Sequence, residues 1–171
     1  IFLTSLSVYQ VVEISTTYTR SVTSPWLSPA EHDAWRSLQL MQLQLATELN
    51  RRLSPYGLTL QDYYVLAHLS ENGGEMRIVE LGHDLGLEKS RASHHIARLC
   101  ERGLLTKRRC ETDGRGYWAR LTAKGNKLIA SAAPSHVADV RELFIARATS
   151  TQLSAIASVS KDVSAGLASL T

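Results

Sequence analysis

The chain has 171 residues, 44% of them apolar, with only four prolines and ten glycines, a composition that suits one folded core with an attached helical layer and argues against disorder. Nineteen Lys and Arg stand against sixteen Asp and Glu, for a net charge of +3, and no uncharged apolar run approaches the roughly 18–20 residues of a membrane span. Two cysteines, Cys100 and Cys110, make no disulfide framework and lie in no zinc-ligand spacing, so a reducing compartment and no metal or other cofactor are expected.

Residues 1–24 are rich in Ser, Thr and Val, carry Glu13 and Arg20 as their only charges and do not begin with Met. They lack the basic start and long apolar run of a secretory signal. Residues 1–27 are therefore expected to form a weakly ordered extension or to reflect a start-site artefact. Ser28-Pro29-Ala30-Glu31 predicts a helix start, with Ser28 as cap, Pro29 at the first position and Glu31 completing a capping box. Trp35, Leu38, Met41, Leu45, Leu49 and Leu53 then recur at three- and four-residue steps along one long amphipathic helix, which Ser54-Pro55-Tyr56-Gly57 ends. Thr59 caps a second helix, with Asp62 near the positive end of its dipole, and Asn72-Gly73-Gly74 stops it. Met76-Arg77-Ile78 is long enough for one bridging strand only.

A short helix over 79–85, broken by Gly86, and another from Glu88 to the expected C′ glycine Gly103 form a helix-turn-helix. Leu104 to Arg109 is extended, Thr112-Asp113-Gly114-Arg115-Gly116 is a turn by composition, and Tyr117 to Leu121 returns as a hairpin. Thr122 caps a long helix expected to run from Ala123 towards Arg147, with Pro134 as a candidate kink. Thr149-Ser150-Thr151-Gln152 starts a last helix whose Leu153, Ile156, Val159, Val163, Leu167 and Leu170 keep three/four spacing. The fold class expected is mainly α with a small β-wing.

Charge is concentrated in residues 88–127, which hold eleven of the nineteen Lys and Arg against four acidic residues, leaving the remainder of the chain net negative. Such a field suits a polyanion, most often nucleic acid. Helix, helix and basic hairpin read as a winged helix-turn-helix, in which the second helix enters the major groove with its N-terminal residues at base edges. Lys89, Ser90, Arg91, Ser93, His94 and His95 occupy its first two turns, and Ala92, Ile96 and Leu99 its inner face. Arg91, His94 and Arg98 fall outward; His95 is read either as outward or as a satisfied inward histidine. Arg115 at the wing tip suits a narrow minor groove, with Asp113 placed to orient it across Gly114, and Lys107, Arg108, Arg109 and Arg120 would meet phosphates.

Val79-Glu80-Leu81-Gly82-His83-Asp84-Leu85-Gly86-Leu87-Glu88-Lys89-Ser90, Ser93-His94-His95-Ile96-Ala97-Arg98-Leu99-Cys100-Glu101-Arg102-Gly103-Leu104-Leu105, the wing Asp113-Gly114-Arg115-Gly116 and Leu121-Thr122-Ala123-Lys124-Gly125 together resemble the MarR family of winged-helix transcriptional regulators. The flanking helices extend the resemblance over about residues 28–170. Gly82 stands where the family usually has Ala, at a small cost in helix propensity. The resemblance implies a single domain over 28–171, with a DNA-binding lobe at about 58–122 and dimerisation helices at about 28–54 and 123–171. It further implies a cytoplasmic homodimer that acts as a sequence-specific repressor on a palindromic operator, with wing roles for Asp113 and Arg115. The competing reading is an architectural protein that binds double-stranded DNA without sequence preference.

The resemblance also suggests a small aromatic or phenolic effector, for which Trp35, Tyr63 and Tyr64, with His32 or Arg36, are the candidate lining; as single residues they are more simply read as core aromatics. Cys100 ends a helix, where the dipole does not favour a thiolate, and Cys110 has no resolving partner in sequence, so neither is expected to be a redox switch. No phosphate loop, H-E-x-x-H motif, nucleophile elbow or paired carboxylates occur in a recognisable spacing, so no enzymatic activity is expected.

Overall fold

Four side-chain caps set where the principal helices begin. The computed structural model describes residues 26–110 and 116–170. In chain order these form α1 (Pro29–Leu53), a 3-10 turn (Ser54–Tyr56), α2 (Leu60–Glu71), β1 (Glu75–Arg77), α3 (Ile78–Asp84), α4 (Lys89–Glu101), β2 (Leu105–Arg109), β3 (Tyr117–Leu121), α5 (Ala123–Leu143), a second 3-10 turn (Ile145–Arg147) and α6 (Ser150–Ala168). At α1 the Ser28 amide donates to Glu31 Oε2 at 2.8 Å, and the Glu31 amide returns to Ser28 Oγ at 3.4 Å. Thr59 and Asp62 form the reciprocal pair at α2, and Thr149 and Gln152 the pair at α6. Thr122 Oγ1 caps α5 by accepting from the Gly125 amide at 3.0 Å. Each cap satisfies amides that a helix start otherwise leaves orphaned.

The chain divides into two units after Ser37, within α1. The described part of the first unit is the capped start of that helix, preceded by the exposed Trp26 and Leu27. The expected extension over 1–27 lies outside the described residues up to residue 25.

The second unit carries the core. Leu53, Val65, Leu66, Leu69, Leu81, Ile96, Leu99, Leu104 and Leu105 are almost wholly removed from solvent. Burying a side chain of this size is worth roughly 1.5–3 kcal/mol. The three strands form an antiparallel sheet in the order β1-β3-β2, with Arg77 and Arg108 opposite Trp118 from either side. Strand alternation turns Leu105, Ala119 and Leu121 to the core. The Cys110 amide donates to the Gly116 carbonyl at 2.8 Å, closing the hairpin stem; the tip, 111–115, lies outside the described residues.

α5 continues through Pro134 but ends at Leu143, short of the expected Arg147. Phe144 leaves helical geometry, the chain tightens into the 3-10 turn, and Ala148 and Thr149 are extended. The capping box of α6 uses that extended backbone at Thr149. Arg52 ties α1 to α5: it donates to Glu48 at 2.9 Å, to Asp139 at 2.8 Å and through both terminal nitrogens to Glu142 at 2.9 Å. α5 also packs on α2 and on β3.

Gly125, in the first turn of α5, is buried against the Leu104 carbonyl, and a Cβ there would overlap that oxygen and crowd Leu121. Helix propensity alone favours alanine at this position by about 1 kcal/mol. Overpacking against backbone costs about 1–3 kcal/mol and should win. Gly125→Ala should therefore lower the denaturation midpoint in chemical unfolding; a raised midpoint would show that the backbone yields.

Candidate nucleic-acid interface

Two left-handed glycines frame α4. Gly86 (φ 61°) and Gly103 (φ 69°) each follow a helix end, with the Leu87 amide bonded back to the Gly82 carbonyl at 2.7 Å and the Leu104 amide to Leu99 at 2.9 Å. Both are Schellman closures, which satisfy the last carbonyls of α3 and α4. Gly82 itself lets the two helices approach: a Cβ there would lie 3.2 Å from the Ala92 Cβ and 3.4 Å from the Leu87 carbonyl. Its departure from the usual alanine therefore has a packing consequence beyond helix propensity.

Ala92, Ile96 and Leu99 face the core, as expected, while Lys89, Ser90, Arg91, Ser93, His94 and Arg98 are exposed. Glu88 stands at the N-cap of α4 without a side-chain bond to it. His95 is the exception among the candidates. The structure turns it inward, 8% exposed, which corrects its outward placement among the DNA-reading residues. It sits three residues after Ala92 and four before Leu99, on the shoulder of the buried stripe, and a carboxylate waits there: Nε2 lies 3.1 Å from Asp62 Oδ1. Its Nδ1 lies 2.9 Å from Arg98 Nη2.

Asp62 is the hub of this arrangement. Its Oδ2 accepts from the Thr59 amide at 3.0 Å and from Arg102 Nη1 at 2.8 Å. Arg102 also donates to the Gly57 carbonyl, and Lys124 Nζ to the Arg102 carbonyl at 2.8 Å. Burial alone would raise the Asp62 pKa. His95, the Thr59 amide and Arg102 outweigh it and hold the carboxyl well below the usual carboxylate range. One acidic residue thus joins the start of α2 to both the middle and the end of α4.

Beside α4 stand the strands of the wing. Lys107 Nζ lies 4.0 Å from the centre of the Tyr117 ring. The Arg108 and Arg77 guanidinium carbons lie 5.3 and 5.9 Å from the Trp118 ring, and Arg108 also meets Glu75 at 3.2 Å. These cation–π contacts hold the side chains against the sheet. Arg109 and Arg120 are exposed; Arg120 comes within 3.9 Å of Glu75. Asp113, Gly114 and Arg115 fall outside the described residues. Cys110 is buried beside Arg77, whose Nη2 lies 3.1 Å from its sulfur, and burial pushes the Cys100 thiol up. A groove of about 550 Å³ runs between α3, α4 and the wing strands, floored by Ile78, Val79, Ala92 and Tyr117.

The aromatic candidates occupy different surroundings. Trp35, on the first unit's stretch of α1, is about half exposed, and Arg36 beside it is exposed. On α2, Tyr64 is exposed and Tyr63 is buried, its ring 3.9 Å from that of His136 on α5. His136 is itself buried and its pKa is lowered by that burial; Nδ1 has no hydrogen-bond partner among the described residues.

The sequence profile of the MarR family matches residues 56–116, which span the second helix, the helix-turn-helix and the start of the wing. Among solved structures the chain is similar to AbsC, a MarR family transcriptional regulator from Streptomyces coelicolor, at 36% identity over 84% of this chain and 98% of that one, with a TM-score of 0.80. Sco3205 from the same organism, a MarR family regulator solved in complex with DNA, is 32% identical over 83% of this chain and 94% of its own, with a TM-score of 0.78. The chain belongs to the MarR family of transcriptional regulators. It is accordingly a DNA-binding transcription factor and not an enzyme. The organohalide-sensing regulator RdhR-CbdbA1625, in its 2,4-dichlorophenol-bound form, shares the fold at 16% identity, covering 92% of each chain with a TM-score of 0.75. No curated protein matches the chain. Among the described residues no helix is long and apolar enough to cross a membrane, and no group of His, Cys, Asp and Glu is arranged to hold a metal ion.

Within this MarR fold, sequence reading assigned Asp62 only a place near a helix dipole and gave Arg102 no role. The Thr-x-x-Asp capping box was visible; its second use, forty residues away in the chain, had no local signal. Because the folded Asp62 pKa is depressed, its stabilisation is fully present above the unfolded value of about 3.9 and is lost as pH falls towards the folded one. Asp62→Asn should lower the melting temperature at neutral pH, and the gap from wild type should narrow below about pH 4. A gap that stays constant through acid would mean that the carboxylate's charge contributes nothing.

Proposed function

We propose that the chain acts as a homodimer that represses transcription by binding a palindromic operator, each copy laying α4 in a major groove and its wing along the adjoining minor groove. The observation that carries this reading is the division of α4. One face buries Ala92, Ile96 and Leu99, and the opposite face exposes Lys89, Ser90, Arg91, Ser93, His94 and Arg98. Arg91 and His94 would read base edges. Lys107 and Arg109 on the wing strand would meet phosphates, and Asp113, Gly114 and Arg115 would form the minor-groove tip. The lobe at about 58–122 binds DNA in this reading, and the helices at about 28–54 and 123–171 pair the copies. Ile156, Val159, Val163 and Leu167 support the pairing, a spaced apolar stripe on α6 left between 40% and 62% exposed. A twofold dimer would set its recognition helices about 34–36 Å apart, one turn of DNA.

A small aromatic or phenolic effector that releases the operator is a second element of the proposal. It is supported by the unpaired His136 Nδ1 against the Tyr63 ring, a polar handle in an aromatic setting. The 2,4-dichlorophenol held by the organohalide-sensing relative supports the ligand class.

Electrophoretic competition tests the core of the reading. A duplex selected by the protein from random-sequence DNA should stay bound under excess mixed-sequence DNA, and sedimentation should give a dimer. Equal affinity for all sequences would favour the architectural alternative. Arg115→Ala should weaken binding of every sequence and lower the salt slope by about 1. Arg91→Ala and His94→Ala should instead change preference at particular bases, at a cost of roughly 1–3 kcal/mol each. An unchanged salt slope in the first case, or uniform losses in the second, would reassign those residues.

A further inference from the structure

We propose that His95 and Asp62 are positioning residues that fix the Arg98 guanidinium, before DNA arrives, in the orientation it uses on the DNA backbone. Arg91, His94 and Arg98 follow one another at three- and four-residue steps, so Arg98 continues the outward stripe one turn beyond the base-reading residues. Arg98 is exposed, yet its Nη2 lies 2.9 Å from Nδ1 of the buried His95. A guanidinium offers only donors, so Nδ1 must accept. The ring proton then sits on Nε2, which makes a close ionic contact of 3.1 Å with Asp62 Oδ1 though not with the geometry of a hydrogen bond. Asp62 cannot turn away from this role, because its other oxygen is held by the Thr59 amide at 3.0 Å and by Arg102 at 2.8 Å. Order therefore passes from the fixed start of α2 through a carboxylate and a histidine to a cation on the surface.

The gain is entropic. A long arginine loses rotamer freedom when it is immobilised at an interface, and an arginine already restrained loses less. The outward lysine and arginine at the start of the helix, Lys89 and Arg91, have no such tether among the described residues; Arg98 does. The inference rests on the reading of Arg98 as a DNA contact, and the test separates the two.

The full-length chain is measured on the duplex it selects from random-sequence DNA and on a mixed-sequence duplex, so that a backbone contact is detected whether or not a sequence is preferred. Arg98→Ala should weaken binding to both and lower the salt slope by about 1. His95→Leu should cost roughly three- to tenfold in the wild-type background and almost nothing once Arg98 is alanine. His95→Gln, which keeps an acceptor and an N–H donor, should restore most of the loss. In the free wild-type protein, side-chain NMR relaxation should show the Arg98 guanidinium more ordered than that of Arg91, a readout that needs no variant to fold. An Arg98→Ala protein with unchanged affinity and slope would remove Arg98 from the interface and the relay with it. A His95→Leu loss that persists in the Arg98→Ala background, or an Arg98 as mobile as Arg91, would leave the contact standing and overturn the relay alone.

Discussion

Asp62 is the constraint on which the setting of α4 depends. A carboxylate taken out of water costs several kcal/mol unless its oxygens are partnered. Asp62, with only 5% of its side chain exposed, meets that condition with partners from two helices. An apolar stripe such as Ala92, Ile96 and Leu99 tolerates small rotations of its helix, because contacts among methyl groups vary slowly with angle. A carboxylate oxygen that accepts from both the Thr59 amide and Arg102 does not. Arg102 stands at the C-cap of α4 and His95 in its middle, so the helix is held at two points against turning about its axis. The apolar core supplies most of the stability, and the ionic hub fixes which face α4 shows.

The same economy limits how the basic segment is understood. Formal charge counts eleven cations between residues 88 and 127, but several already have partners within the fold. Arg102 is engaged by Asp62, Arg108 by Glu75 and Trp118, Lys107 by the Tyr117 ring, and Lys124 by a backbone carbonyl. Pairing does not remove a charge from the long-range field that draws in a polyanion. It does decide which side chains can reach for a phosphate without first breaking a bond. Cations stacked on aromatic rings are presented in fixed places while still open to a second partner. The segment is thus part scaffold and part contact surface, and charge count alone cannot divide the two.

Much of this fold was legible in the sequence because caps, glycines and periodicity are local. Ser28, Thr59, Thr122 and Thr149 mark helix starts, Gly86 and Gly103 mark ends, and each cap is satisfied within four residues. His95 was ambiguous for a physical reason: at 100° per residue it falls on the edge of the buried stripe, and only the carboxylate across from it decides the direction. The Asp62–Arg102 bond and the Arg77–Trp118 stack join residues 40 or more positions apart, and Arg108 reaches Trp118 across paired strands; no local pattern announces them. The early stop of α5 was missed because Phe144 and Ile145 suit the apolar periodicity. The helix breaks at Phe144, whose backbone leaves helical geometry ahead of the 3-10 turn.

α6 carries the last step. It is a capped helix of nineteen residues with an apolar stripe, and none of its side chains is buried among the described residues. Most helical stability in proteins comes from packing an amphipathic face. Val159, Val163 and Leu167 stay more than half exposed, while Leu40 and Leu43 on the second unit's stretch of α1 do the same. Polar side chains would serve a solvated helix better at every one of these positions. Their spacing at three and four residues is what a partner helix requires, and in the proposed dimer a second copy would supply a matching surface by symmetry. The proposed recognition helix, α4, is held by its own chain through Asp62. On the proposed dimer, its distance from the mate's recognition helix is fixed by these apolar stripes. A ligand or substitution that loosened the stripes would change operator spacing while leaving each reading face intact.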